Sequence, residues 1–319
     1  MNVYVGIDTS CYVTSAALVD QQGVILAQQR QLLPVKPGSL GLRQSEAVFS
    51  HVKQLPAMLQ PVLEQLHHPA YTLGGVGVSI APRNAAGSYM PVFQAGFSAA
   101  QLIAQTARAP LYAFSHQQGH VRAAEIGQPS LPEMYLAIHL SGGTTELLRV
   151  KRHTWQTDRL GGTLDISAGQ CIDRLGVALG LPFPAGPALE ALAVQVDEPG
   201  EPIGIQVRGC DVHFSGAESV CKRRLEQGDS PQALARALFV GIGRALAKML
   251  GHAYEQTGLT TAVLAGGVAA NQMVKQSCLH QLKKRRIPVE LYVADPQFAG
   301  DNAVGIALLA KEADACSAN

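Results

Sequence analysis

Two histidines, His116 and His120, stand four residues apart in the stretch SHQQGHVRAA, where only Gly119 weakens a helix. On a helix that spacing stacks both imidazoles on one face, one turn apart. Asp301, just ahead of the apolar run AVGIALLA, is a candidate third ligand, an oxygen reaching across a cleft. Two histidines and one carboxylate with open positions suit iron(II), zinc or manganese. The plainer alternatives are surface or core histidines, and an aspartate that merely caps a helix. A zinc protease needs a glutamate directly after the first histidine as general base. That position is Gln117, whose amide takes no proton from water, so the protease reading fails.

Two glycine turns carry further chemistry. In LSGGTTE (140–146), Gly142 and Gly143 let backbone N–H groups approach a phosphate or ribose, and Ser141, Thr144 and Thr145 add hydroxyls. The alternative is an ordinary hairpin turn. In AGGVAAN (265–271), Gly266 and Gly267 let a nucleoside lie flat on the backbone, with Asn271 where a helix begins. Asn271 could equally be a plain N-cap. The turn follows a strand late in an α/β chain, where ligands of open sheets bind. Basic clusters at KKRR (283–286) and KRR (222–224) could touch RNA phosphates, or be solvated helix ends that complement the dipole.

These residues need a scaffold. Strands are expected at 3–7, 15–19 and 24–30, then a helix from Ser45 to Leu66 that Pro56 and Pro61 should kink or split. GGVGVSIAP reads as a buried strand, 92–107 as a helix and PLYAF as a strand leading into the histidines. The opening pattern recurs in MYLAIHLSGGTTELLRV, with a third strand near Trp155. Helices at 168–179 and 231–256, strand TAVLAG, helix 270–285, strand VELYV and helix 303–313 follow. Two hairpin-led α/β units, roughly 130 residues apart, imply an internal duplication. The expected fold class is α/β: duplicated ribonuclease H-like domains of the actin, Hsp70 and sugar-kinase kind, with a central nucleotide cleft. The domains are expected at 1–125 and 126–319, the last helix being able to pack back on the first. That fold is favoured over a Rossmann sheet, which would need a GxGxxG after the first strand.

With 319 residues, 47% hydrophobic, 15% charged and a net charge of +1, no global field draws the chain to nucleic acid or membrane. Any such partner must be met by a local patch. Six scattered cysteines without a C-x-x-C pair point to the reducing cytoplasm. No secretory leader is expected ahead of the strand pattern VYVGI, and no apolar run reaches the roughly 18 residues of a membrane span.

Taken in order, the motifs resemble the tRNA threonylcarbamoyladenosine transferases, long catalogued as O-sialoglycoprotein endopeptidases or glycoproteases. GIDTSC resembles the family's opening strand and turn, HQQGH its H-x-x-x-H, and LSGGTTELL its S-G-G-H-T-Q-L hairpin. SAGQCIDRLGVALGLPFPAGP, VHFSGAES, AGGVAAN and AGDNAVGIA resemble four later motifs, so the likeness runs from about residue 5 to about 310. It implies His116, His120 and Asp301 as ligands of one iron or zinc ion. It implies Asp173 and Gly186 at the ribose, Asn271 at the adenosine part, and Ser141, Gly142 and Gly143 at the carbamoyl-phosphate region. The ligand would be an ATP- or AMP-type nucleotide or threonylcarbamoyl-AMP, the acceptor a tRNA adenosine beside the anticodon. The partners would be proteins of the threonylcarbamoylation complex or a second copy of the chain, in the cytoplasm and without a membrane.

The departures are specific. The family's acidic pair after S-C is replaced by Tyr12 and Val13, the glutamate of H-x-E-G-H by Gln118, and the hairpin histidine by Thr144. IAPRNAAGS stands for a glycine-rich loop, and VFSH keeps only His51 of S-R-x-H. The resemblance thus implies a transferase, with a non-catalytic paralogue acting through protein partners as the alternative. An ATPase-like member of the fold is the weaker third, since only Asp8 supplies an acid near Thr9.

Overall fold

A computed structural model describes residues 1–10, 12–35, 42–196 and 200–317; Cys11, in the GIDTSC motif, lies outside them. The chain forms two compact units, Met1–Ile126 together with Gly300–Asn319, and Gly127–Ala299.

The first unit contains β1 (Asn2–Thr9), β2 (Val13–Asp20), β3 (Ile25–Leu32), α1 (Gln44–Glu64), β4 (Thr72–Ala81), α2 (Phe93–Ala107), β5 (Leu111–Ser115) and α3 (His116–Ala124). Its sheet order is β3-β2-β1-β4-β5, with β1–β2 and β2–β3 antiparallel and β1–β4 and β4–β5 parallel. Side chains alternate across a strand, so β1 presents two different faces. Val3, Val5 and Ile7 pack with Leu55, Leu59 and Val62 of α1 and with Ala100 and Ala104 of α2. Gly6, on the opposite face, lies against Ala303 and Ala307, which bring the chain's last helix onto the sheet. Of the expected kink or split at Pro56 and Pro61, the split does not occur: α1 runs unbroken for 21 residues. Pro56 is exposed, so the carbonyl it leaves without an N–H partner can be met by water, while Leu55 and Leu59 anchor the buried face.

The second unit contains β6 (Met134–Leu140), β7 (Thr145–Lys151), β8 (Gln156–Gly162), α4 (Ala168–Ala178), α5 (Gly186–Ala193), β9 (Gln206–Arg208), β10 (Asp211–His213), α6 (Ser215–Glu226), α7 (Pro231–Thr257), β11 (Thr261–Ala265), α8 (Gln272–Lys284), β12 (Glu290–Val293) and α9 (Pro296–Ala299). The sheet order, β12-β11-β6-β7-β8, repeats that of the first unit strand for strand. Its core sets Leu136, Ile138 and Leu140 against Leu238, Ile242 and Leu246 of α7. Each such side chain contributes about 1.5–3 kcal/mol by leaving water. The final helix, α10 (Val304–Ser317), belongs to the first unit.

Candidate metal centre and nucleoside pocket

The metal centre lies within the first unit. Ser115 ends β5 and caps α3: its Oγ accepts from the Gln118 N–H at 3.2 Å, and Gln118 Oε1 accepts from the Ser115 N–H at 2.7 Å. Gln118 therefore closes a capping box. That box starts the helix at His116, so both histidines fall in its first two turns. Asp301 is brought to them by α10, which crosses α3 where Gly305 meets Gly119. A Cβ at Gly305 would collide with the Gly119 carbonyl. Asn302, not Asp301, caps α10, its Oδ1 accepting from the Val304 N–H at 3.0 Å. Asp301 belongs to the same unit as the histidines, so it reaches them without crossing a cleft.

His120 Nε2 lies 3.0 Å from His116 Nε2 and 3.1 Å from Asp301 Oδ1, and His116 Nε2 lies 3.6 Å from the same oxygen. Two ligand atoms each about 2.1 Å from one ion, at 90 to 109°, stand about 3.0 to 3.4 Å apart. The three side chains thus have the spacing of one face of a coordination shell, and they are the one such group among the described residues. His116 and Asp301 are held from behind. His116 Nδ1 faces Asp8 Oδ2 at 2.9 Å, the fully buried Asp8 accepts a hydrogen bond from Ser79 Oγ, and Ser10 Oγ donates to Asp301 Oδ2 at 2.9 Å. Burial alone would depress the His116 pKa, but the carboxylates of Asp8 and Asp301 raise it well above the usual range. Burial alone would raise that of Asp301; hydrogen bonds and charge from both histidines hold it well below.

His51 supports the turn that carries Ser10. Its Nε2 reaches the Ser10 carbonyl at 2.7 Å and its Nδ1 the Thr14 hydroxyl at 2.8 Å, deep in the unit. Burial lowers its pKa, so the neutral ring donates from Nε2. Val13 is buried in β2 opposite Leu32, and Tyr12 is half-buried beside it. Neither position supplies an acid.

The second unit holds a cavity of about 330 Å³. The β6–β7 tip closes on itself: Ser141 N–H donates to the Thr144 carbonyl at 2.9 Å, and Thr144 N–H to Ser141 Oγ at 3.1 Å. Gly169, at the start of α4, packs so close to Gly142 that a side chain would collide with the tip. Of the sequence candidates, Gly142, Asp173, Gly186, Gly267 and Asn271 line this cavity; Ser141, Gly143 and Gly266 do not. Gly266 instead makes the turn possible, with φ at +97°. Asp173 Oδ1 accepts from the Ala185 N–H at 2.7 Å, drawing the loop before α5 inward. Burial raises its pKa, against the pull of the Ala185 and Gly186 N–H groups. Asn271 Oδ1 caps α8 through the Val274 N–H at 2.9 Å, so its amide NH₂ is the part left for a ligand. Glu190 was missed in the sequence. It lines the cavity from α5 and accepts from the Gln272 N–H at 3.0 Å, and no motif spacing marks it. Phe239 and Ile172 give the cavity apolar walls.

The twice-built sheet of three antiparallel and two parallel strands places the chain in the actin, Hsp70 and sugar-kinase fold class. It is similar to full-length HypF in its phosphate- and nucleotide-bound form, at TM-score 0.63 and 12% identity over 100% of this chain and 46% of that one. It is also similar to the activator of 2-hydroxyisocaproyl-CoA dehydratase from Clostridium difficile with bound ADPNP, at TM-score 0.57 and 14% identity over 99% and 97%. Within that class, the family model TsaD, tRNA N6-adenosine threonylcarbamoyltransferase, matches residues 34–308, and the chain belongs to that family. It is 31% identical to the tRNA N6-adenosine threonylcarbamoyltransferase of Methanopyrus kandleri over 96% of this chain and 86% of that one. With the enzyme of that name from Thermus thermophilus it shares 29% over 96% and 91%. No described helix is long and apolar enough to cross a membrane.

Proposed function

We propose that the protein transfers a threonylcarbamoyl group from threonylcarbamoyl-AMP to an adenosine of tRNA, working in the cytoplasm. The observation that carries the reading is the His116, His120 and Asp301 set in a chain of this family. In the second unit, the carboxylates of Asp173 and Glu190 suit ribose hydroxyls and disfavour a phosphate, while Phe239 and Ile172 suit a flat base. Asn271 offers amide N–H groups to the base. In the first unit, two imidazoles and a carboxylate fit iron or zinc by donor type. Held by His116, His120 and Asp301, such an ion would supply Lewis-acid stabilisation of phosphate charge. Asp8 and Ser10 keep the ligands in place, and the acceptor amine attacks the carbamoyl carbon as the anhydride bond to AMP breaks. The apolar groove between α1 and α2, where Val52 and Leu102 stay largely exposed, supports a protein partner or a second copy.

The buried Val13 supports a second reading, a paralogue that binds nucleotide and metal without catalysis. One assay decides: purified protein with tRNA, the enzyme that forms the adenylate, and the complex proteins. Modified tRNA is expected, and more of it from Tyr12→Asp/Val13→Glu. No product with every partner supplied sinks the transferase reading.

A further inference from the structure

The two basic clusters of the sequence differ in the folded chain. On α6, Lys222 Nζ lies 2.6 Å from Glu218 Oε1, and Arg224 Nε lies 2.6 Å from Asp229 Oδ2. Two of the three cations of KRR are thus paired, Arg223 being the exception. The α7–α8 face has no such pairing among the described residues. From Arg236 to Arg286 the only acid is Glu255, which sits near the end of α7 and is met by His252 at 3.3 Å. Arg244, Lys248, Lys283 and Lys284 have no ion-pair partner among the described residues.

These charges share a surface. Arg236 and Arg244 of α7 and His280 of α8 line a groove of about 230 Å³ whose wall contains no carboxylate. Arg236 is held there by a 3.5 Å contact from Nη1 to the Ala193 carbonyl, and its buried Nε has no hydrogen-bond partner among the described residues. Lys248 continues the row one turn beyond Arg244. A helix dipole accounts for Lys283 and Lys284 in the last turn of α8. It does not account for Arg244 and Lys248, which stand mid-helix, because the dipole's effect fades within one turn. Gln276, His280, Lys283 and Lys284 are exposed along α8, with Leu279 the only large exposed apolar side chain of that helix. An interfacial membrane helix needs a broad apolar face, which α8 lacks.

We propose that the α7–α8 face is a docking surface for the phosphodiester backbone of a folded RNA. The inference rests on the tRNA-acceptor reading above and adds the surface that meets the acceptor. The unspent cations would displace counterions from the phosphates and give a salt-dependent, sequence-independent hold.

The test is fluorescence anisotropy of a labelled, unmodified tRNA transcript with the full chain, from 50 to 200 mM KCl. The variant R244A/K283A/K284A is expected to weaken binding at low salt at least tenfold, about one decade, and to flatten the slope of log K against log salt by about 2 to 3. K222A/R223A is expected to change affinity less than about twofold. Circular dichroism melts show whether each variant is folded, and K284Q alone, at an exposed position, replaces the triple variant if that one unfolds. Three results overturn the proposal: wild-type affinity in the α7–α8 variant, an equal loss in the α6 variant, or wild-type binding to phosphatidylserine vesicles but not to tRNA. Binding is read without donor, so an inactive protein whose RNA affinity still depends on these charges sinks the transferase reading and upholds the surface. Active protein with charge-insensitive RNA binding does the reverse.

Discussion

His116 Nδ1 lies 2.9 Å from Asp8 Oδ2, a carboxylate with no solvent exposure, so the ring's other nitrogen is turned toward His120 and Asp301. A carboxylate behind a ligating histidine fixes its tautomer and its orientation. Asp8→Asn, which preserves shape and removes charge, is expected to weaken iron(II) or zinc binding by about 10- to 100-fold. Competition against a chromogenic chelator measures this. Unchanged affinity would show that Asp8 does not orient the ligand.

His116→Ala, His120→Ala and Asp301→Ala should each take the bound metal from about one ion per chain to near none, read by elemental analysis. A metal ligand must be a neutral imidazole, whereas Asp8 and Asp301 favour the protonated ring in His116 once burial is outweighed. Binding should therefore release a proton, and apparent affinity should fall as pH is lowered. Calorimetry in two buffers of different ionisation enthalpy detects that proton, and its absence would contradict the assigned ligands.

His51 gives the first unit an acid sensitivity. Burial holds its folded pKa below the ordinary 6.5, so the unfolded chain binds more protons between those two values. The stability it contributes is complete above about pH 6.5 and is lost as pH falls toward the folded pKa. Urea midpoints measured on either side of that pH should drop on acidification, and His51→Gln should flatten the drop. An unaltered slope in the variant would place the acid sensitivity elsewhere.

Asn271 has two roles that one substitution separates. Asn271→Asp keeps an oxygen to cap α8, so stability should change by less than about 1 kcal/mol. It removes the amide donors, so affinity for adenosine nucleotides should fall about 5- to 30-fold. Asn271→Ala should lose both. Equal nucleotide affinity in Asn271→Asp and wild type would remove this residue from the pocket.

Gly305→Ala puts a methyl group into the Gly119 carbonyl at the crossing of α10 and α3. A cost of about 1–3 kcal/mol is expected, together with weaker metal binding, because the crossing sets Asp301 against His120. A melting temperature and a metal content both equal to wild type would show that the crossing can relax without moving the site.

Much of this was legible in the sequence because local rules govern it. His116 and His120 stack because four residues make about one helical turn. The repeated strand–turn–strand pattern foretold two sheets of one topology, since hydrophobic period and glycine turns are written along the chain. Other features were not legible. The proline pair in α1 argued for a kink or a split, yet the buried face of Leu55, Leu59 and Val62 holds one helix together. Gln118 looked like a lost acid, although its S-x-x-Q spacing from Ser115 is the local signature of the capping box it closes.

By itself, the sequence determined which residue types this protein could use, and their spacing within each helix, strand and turn. Tertiary structure alone decided that Asp301 joins His120 across 181 residues of chain, that Asp8 stands behind His116 and Ser10 behind Asp301, and that Glu190 lines the nucleoside cavity. It also decided which basic side chains are paired with acids, Lys222 and Arg224 among them. The reason is physical: ligand geometry, burial and ion pairing act through space over a few ångströms, and only the packing of α10 on α3 and of α7 on α8 sets those distances.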